Sequence, residues 1–277
     1  MRVLALSPGP MTVQLDRLPA LASLCDSVGG KLQVACSPAC RGAWELLPQL
    51  EKIIPFDFEA GPSLADWTNL LGCVREPDFQ VCLNFVEGQQ VNLMLSMSHI
   101  PTRLATSGFS STERVSPTDG WPAQRLEAYL QPLGVALDAN GFRLSLSSTD
   151  LDAARSELPP GDGPLLLLAP NGSQDDWPDE RWTALPDAIA SRLNGLRSSR
   201  LSPGLSVRRR AAAVASSDVV LSSCPVTQQL AVYAGTPLVA MGATADVLPS
   251  RDDLRCIGTA GELHRLSEEE VLRALGF

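Results

Sequence analysis

Two short stretches carry the residue types best suited to holding an anion. Asn171-Gly172-Ser173 follows one apolar run, and Ser222-Ser223-Cys224-Pro225 follows another. Gly172 lets a backbone come close to a ligand, and Asn171 and Ser173 bring side chains that donate hydrogen bonds. Pro225 suits the first position of a helix. A helix opening there aims free N–H groups and the positive end of its dipole outward, an arrangement that attracts a diphosphate. Ser223 and Thr227 add hydroxyls at the same place. Cys224, at the helix start, is expected to have an acidified thiol, but neither His99 nor His264 is close in sequence to form a dyad with it. Asp16 lies at the start of the first helical pattern, where negative charge is favoured.

Strand-length apolar runs alternate with amphipathic stretches and position these residues. Val3–Leu6, Lys31–Ala35, Lys52–Phe56, Phe79–Phe85 and Thr102–Ala105 read as strands. Leu15–Val28, Ala43–Leu50, Leu64–Val74, Gln89–Met97 and Trp121–Leu133 read as helices. Pro8-Gly9-Pro10 is a turn, and Gly29-Gly30 ends the first helix. The segment 156–164 is dense in proline and glycine and reads as a linker. The pattern then restarts with strands at Leu165–Ala169, Val219–Leu221 and Leu238–Met241. Helices are expected over Asp179–Leu193, ending at Ala211–Ala215, and over Thr227–Tyr233, with Pro186 bending or splitting the first of these. A capping box, Ser267 with Glu270, opens a last helix. Between Leu193 and Ala211 no apolar strand is visible, so the second half reads as shortened. The order predicts an α/β protein with two Rossmann-like domains on parallel sheets, 1–158 and 163–277.

The bulk composition narrows the function. Of 277 residues, 44% are hydrophobic and 19% charged, enough to bury real cores. The net charge of −9 makes nucleic acid an unsuitable partner. Arg208, Arg209 and Arg210 form the one tight basic run and read as a solvated loop or helix end. Seven cysteines at 25, 36, 40, 73, 82, 224 and 256 lack the spacing of a zinc site, so no metal is expected. They read as reduced thiols of a cytoplasmic protein. No run approaches ~18 uninterrupted apolar residues, and the N-terminal apolar run is too short for a signal-peptide core, so neither a membrane span nor a leader is expected. His99 reads as a loop residue, and Trp67, Trp121, Trp177 and Trp182 as packing residues.

Four segments, in order, resemble the ADP-heptose:lipopolysaccharide heptosyltransferase family. They are Leu18-Pro19-Ala20-Leu21; Ile53-Ile54-Pro55-Phe56; Leu167-Leu168-Ala169-Pro170-Asn171-Gly172-Ser173 with Trp177-Pro178-Asp179-Glu180-Arg181-Trp182; and Ala212-Ala213-Val214-Ala215-Ser216-Ser217-Asp218-Val219-Val220 with Leu230-Ala231-Val232-Tyr233-Ala234-Gly235-Thr236-Pro237-Leu238-Val239-Ala240. Together they span nearly the whole chain. The resemblance implies a GT-B type fold and inverting transfer of a heptose-like sugar from a nucleotide-diphosphate donor to a saccharide or lipopolysaccharide-core acceptor. No cofactor or metal is implied. The donor would lie on the second domain, at Asn171, Gly172, Ser173, Ser223, Thr227 and Gln229, and the acceptor beside the turn that holds Gly9 and Thr12. A lipid-linked acceptor would bring the protein to the inner membrane peripherally.

Three of the family's polar segments are changed. Its first turn carries Gly-Asp, the aspartate being the general base, where this chain has Thr12-Val13; Asp16 is the nearest carboxylate that could take that role. Its Asp-Thr-Gly and later His correspond to Cys224, Pro225, Val226 and Gln229. A lysine expected before Trp177 is replaced by Gln174-Asp175-Asp176, and one charge pair ~4 Å apart near a surface amounts to ~4 kcal/mol. The resemblance therefore also admits a degenerate relative that binds or scaffolds without catalysis.

Overall fold

The computed structural model describes all 277 residues, and their contacts cluster into two compact units, Met1–Phe142 and Arg143–Phe277. In the first unit the elements run β1 (Arg2–Leu6), α1 (Met11–Val28), β2 (Lys31–Cys36), α2 (Arg41–Trp44), β3 (Leu50–Pro55), α3 (Leu64–Arg75), β4 (Val81–Asn84), α4 (Gln89–Ser96), β5 (Thr102–Ala105), β6 (Glu113–Arg114), α5 (Pro122–Arg125) and α6 (Glu127–Leu130). In the second they run α7 (Ser148–Glu157), β7 (Leu165–Ala169), α8 (Asp179–Ala190), β8 (Arg197–Arg200), α9 (Val207–Ala215), β9 (Val219–Ser222), α10 (Pro225–Ala234), β10 (Leu238–Met241), β11 (Leu254–Ile257) and α11 (Glu268–Leu275).

Each unit holds its own parallel sheet, in the orders β3-β2-β1-β4-β5-β6 and β11-β10-β9-β7-β8. Central strands such as β7, with sequence Leu165-Leu166-Leu167-Leu168-Ala169, are buried along their whole length. That is what helices on both faces of a parallel sheet require. Leu4, Leu6, Phe79, Cys82 and Met94 belong to one core of the first unit, and Leu166, Leu168, Trp182, Leu221 and Val271 to one of the second. Trp121, Trp177 and Trp182 are buried, and Trp67 packs against Phe56 with ring centroids 5.0 Å apart, as packing residues should. No helix is long and apolar enough to cross a membrane.

Several elements depart from the periodicity, each for a local reason. The helix expected over Ala43–Leu50 is the single turn α2, and Leu50 already belongs to β3; Pro48 disfavours helical backbone at the residue before it. Trp121–Leu133 is broken into α5, α6 and a 3₁₀ turn at Gln131–Leu133 that contains Pro132. Pro186 does not split α8, which runs unbroken from Asp179 to Ala190. The first helix begins at Met11, so Asp16 lies in its second turn rather than its first.

The segment between Leu193 and Ala211 does carry a strand, β8, whose sequence Arg-Ser-Ser-Arg gives no apolar signal. β8 and β11 are the two edges of the second sheet, and both carry arginine: Arg197 and Arg200 on one, Arg255 on the other. The division between units falls after Phe142, whereas composition alone puts it at 158–163. Helix α7, capped by Ser147 at the amide of Asp150, packs on α9 inside the second unit. The proline- and glycine-rich segment after it is pinned there as well. Arg197 donates to the carbonyl oxygens of Pro159 at 3.1 Å and Gly163 at 2.6 Å, and a Cβ on Gly163 would lie 1.8 Å from the Gly195 oxygen.

Candidate functional site

Ligands of open parallel α/β sheets bind beyond the carboxyl ends of the strands. In the first unit β1 runs into Ser7-Pro8-Gly9-Pro10 and then α1. Gly9 has φ +97, in the region glycine favours. Two buried side chains hold the turn. The Gln14 amide donates to the oxygens of Pro8 and Gly9, each at 2.9 Å. The Gln14 oxygen accepts from the Ser7 hydroxyl at 2.6 Å and from the Trp44 indole at 3.0 Å.

Arg17, also buried, donates to the Ser7 hydroxyl at 2.6 Å and the Pro8 oxygen at 2.5 Å, and its guanidinium lies 4.4 Å from the centre of the Phe85 ring. Burial pulls the Arg17 pKa down to about 10, against the pull of Tyr129 and Asp16, which favour the charged form. The Tyr129 ring packs tilted against Phe85, centroids 4.6 Å apart, and burial pushes its phenol up.

A cavity of about 190 Å³ opens beside this turn, lined among others by Gly9, Pro10, Ser37, Cys40, Asp57 and Glu59. Asp57 and Glu59 follow β3 and are exposed, and the Asp57 carboxylate accepts from the Glu59 amide at 3.1 Å. Sequence reasoning passed over this pair; its signal is Asp-Phe-Glu directly after a short strand. Thr12 and Asp16 are half-buried on α1.

In the second unit β7 leads into Asn171, Gly172 and Ser173, all exposed, with Gly172 at φ +73. The loop is fixed at both ends. The Asn171 amide donates to the Ser223 hydroxyl at 2.8 Å, which joins the two sequence-predicted stretches. At the other end the buried Asp176 carboxylate accepts from the amides of Gly172 at 2.8 Å and Trp177 at 2.7 Å. So of the two carboxylates expected to repel a diphosphate, Asp176 is turned inward as a structural cap and Asp175 alone stays exposed. Trp177 is anchored by its indole to the Leu266 oxygen at 2.8 Å and meets Trp182 edge to face.

Helix α10 opens with Pro225 at its first position and Cys224 at its cap, as the sequence suggests. Ser222 donates to the Ala169 oxygen and accepts from the Cys224 amide, each at 3.0 Å. Thr227 and Gln229 are buried, and the Thr227 hydroxyl accepts from Arg210 at 2.8 Å. The basic run is thus not solvated throughout. Arg208 and Arg209 meet Asp150 and Glu157, while Arg210 points inward. Successive helical residues are rotated by about 100°, so a run of three necessarily reaches a second face. His99 is an exposed loop residue beside Arg75.

Two Rossmann-like units on separate parallel sheets define the GT-B class of glycosyltransferase folds. Within it, the chain is similar to a glycosyl transferase of family 9 from Veillonella parvula, at 16% identity and TM-score 0.77, over 99% of this chain and 95% of that one. It is similar to the E. coli heptosyltransferase WaaC with ADP-2-deoxy-2-fluoro heptose, at 14% identity and TM-score 0.73, over 99% of both chains. It is also similar to E. coli ADP-heptose lps heptosyltransferase II, at 14% and TM-score 0.72, over 99% and 97%. No protein-family model and no curated protein matches the sequence.

Proposed function

We propose that the chain transfers a sugar, heptose-like, from a nucleotide-diphosphate donor to a saccharide acceptor of the lipopolysaccharide-core type. The observation that carries this reading is the join of the Asn171–Ser173 loop to the opening of α10 through Ser223, at the carboxyl end of a parallel sheet. Exposed hydrogen-bond donors and a helix N-terminus there suit a diphosphate. The likeness to a heptosyltransferase holding an ADP sugar supports the same assignment.

The acceptor belongs on the first unit. Its hydroxyl attacks the anomeric carbon, the nucleoside diphosphate leaves, and a carboxylate takes the hydroxyl proton. Asp16 is one proposed base; Glu59 and Asp57, on the wall of the cavity beside Gly9, are the others. Gly9 and Thr12 border the acceptor, and Gln229 supports the donor side from inside α10. No metal or cofactor enters the proposal. Seven free cysteines suit a reducing, cytoplasmic setting, with peripheral contact at the inner membrane where the acceptor is lipid-linked.

Incubating the purified chain with ADP-heptose, or with UDP- and GDP-sugars, and a core-saccharide acceptor tests the reading by nucleoside diphosphate release and acceptor mass. Turnover that falls at least a hundredfold in one of Asp16→Asn, Asp57→Asn or Glu59→Gln identifies the base. Val13, where the resemblance expects an aspartate, favours the second reading, a non-catalytic relative. Saturable donor binding with no diphosphate release in any pairing would establish that one instead.

A further inference from the structure

The second unit holds a buried cation with no carboxylate beside it, and this cation sits where two helices begin. Arg210 is in the first turn of α9, whose cap is Ser206. Only 9% of it is exposed. One terminal nitrogen donates to the Thr227 hydroxyl at 2.8 Å and touches the Cys224 sulfur at 3.7 Å, and the other donates to the Pro203 oxygen at 3.2 Å. Cys224 is the cap of α10 and Thr227 lies in its first turn. The guanidinium therefore rests against the positive ends of two helix dipoles, the wrong ends for a positive charge. Buried arginine is ordinarily paired with an anion. The two preceding arginines, both exposed, pair with Asp150 and Glu157, but no ion pair of the chain includes buried Arg210.

We infer that Arg210 binds a phosphate group, specifically the diphosphate of the nucleotide donor. The identity of that ligand rests on the sugar-transfer reading; the unneutralised charge of Arg210 does not. A phosphate approaching past half-exposed Cys224 and exposed Pro225 meets the amides of the α10 opening and one unneutralised guanidinium together. The positive charge absent from the Gln174–Asp176 loop is then supplied from beneath, by α9. Arg210 neither attacks nor transfers a proton; its contribution is to hold the leaving diphosphate and stabilise the charge that develops on it.

Calorimetry on the full chain with pyrophosphate, ADP and UDP tests the inference. The wild type binds, with affinity falling as salt rises. Arg210→Gln weakens binding at least tenfold, Arg210→Lys recovers part of the loss, and Arg209→Gln, which removes only the pair with Glu157, behaves as wild type. A second readout needs no variant. Pyrophosphate slows alkylation of Cys224 in the wild-type chain, in a saturable way, as mapped by peptide mass.

Equal binding of ADP or UDP by wild type and Arg210→Gln overturns the role of Arg210 and leaves the transferase reading standing. Arg210-dependent binding of pyrophosphate with no affinity for any nucleoside diphosphate supports Arg210 and overturns the transferase reading. Alkylation of Cys224 unchanged at saturating pyrophosphate overturns the placement of the anion, whether or not the variants fold.

Discussion

Replacing Asp176 tests how the donor-side loop is held. Its buried carboxylate accepts two backbone N–H groups, one from exposed Gly172 and one from buried Trp177. The two are not equal. In Asp176→Ala the Gly172 N–H turns to water at little cost, while the Trp177 N–H is left unpaired in the interior, a loss of ~1–3 kcal/mol. Relief from burying a carboxylate offsets part of this. The expected net destabilisation is ~2 kcal/mol for alanine. It is ~1 kcal/mol for asparagine, whose single oxygen still serves Trp177. Urea unfolding followed by tryptophan fluorescence measures it, because Trp177 and Trp182 report on this unit. With a slope of ~2 kcal/mol/M, the alanine midpoint shifts by about 1 M. Binding of a nucleoside diphosphate should weaken in both variants, since the Asn171–Ser173 loop loses its second anchor. An alanine variant that unfolds at the wild-type midpoint would show that the carboxylate does not cap these amides, and the account of the inward-turned acidic loop would fail.

Gly163→Ala places a methyl group 1.8 Å from the Gly195 oxygen, so the backbone must move; a loss of at least ~2 kcal/mol in thermal or urea unfolding is expected, and wild-type stability would contradict it. Thiol titration at pH 8 should count three groups in the native chain, Cys73, Cys224 and Cys256, and the other four only after denaturation. Burial raises Cys25 and Cys36 to about 12, so their reactive thiolate is scarce at that pH; a native count above three contradicts the burial described. If Asp16, Asp57 or Glu59 is the base, its amide variant loses turnover while nucleoside diphosphate affinity, measured by calorimetry, is retained; turnover unchanged in all three variants removes the carboxylates from the mechanism.

Strongly apolar elements were readable from the sequence because in a parallel sheet burial alone dictates their composition. Leu165–Ala169 and Leu238–Met241, buried along their whole length, lie where the runs of residues put them. Elements held by polar contacts were not readable. β8, Arg-Ser-Ser-Arg, is a strand because β7 offers it a hydrogen-bonding edge, and α7 is a helix that packs on α9 with few apolar residues of its own. At the candidate site the loop and the helix opening were legible from glycine, serine and proline chemistry. Arg210 and the pair Asp57 and Glu59 were not, because their meaning depends on which face a side chain takes and what lies across from it. A basic triplet reads as solvated until the structure turns its third member inward.

The arginines at the rims of the second sheet also bear on self-association. Arg197 and Arg200 occupy one outer strand and Arg255 the other. Each is already engaged, with the Gly163 oxygen, the Asp179 carboxylate and the last carbonyls of α11 respectively. A foreign strand docking on either border would have to strip these bonds and bring guanidinium groups against its own backbone. Sheet-to-sheet polymerisation is thereby disfavoured by three arginines to which the sequence alone assigns no role.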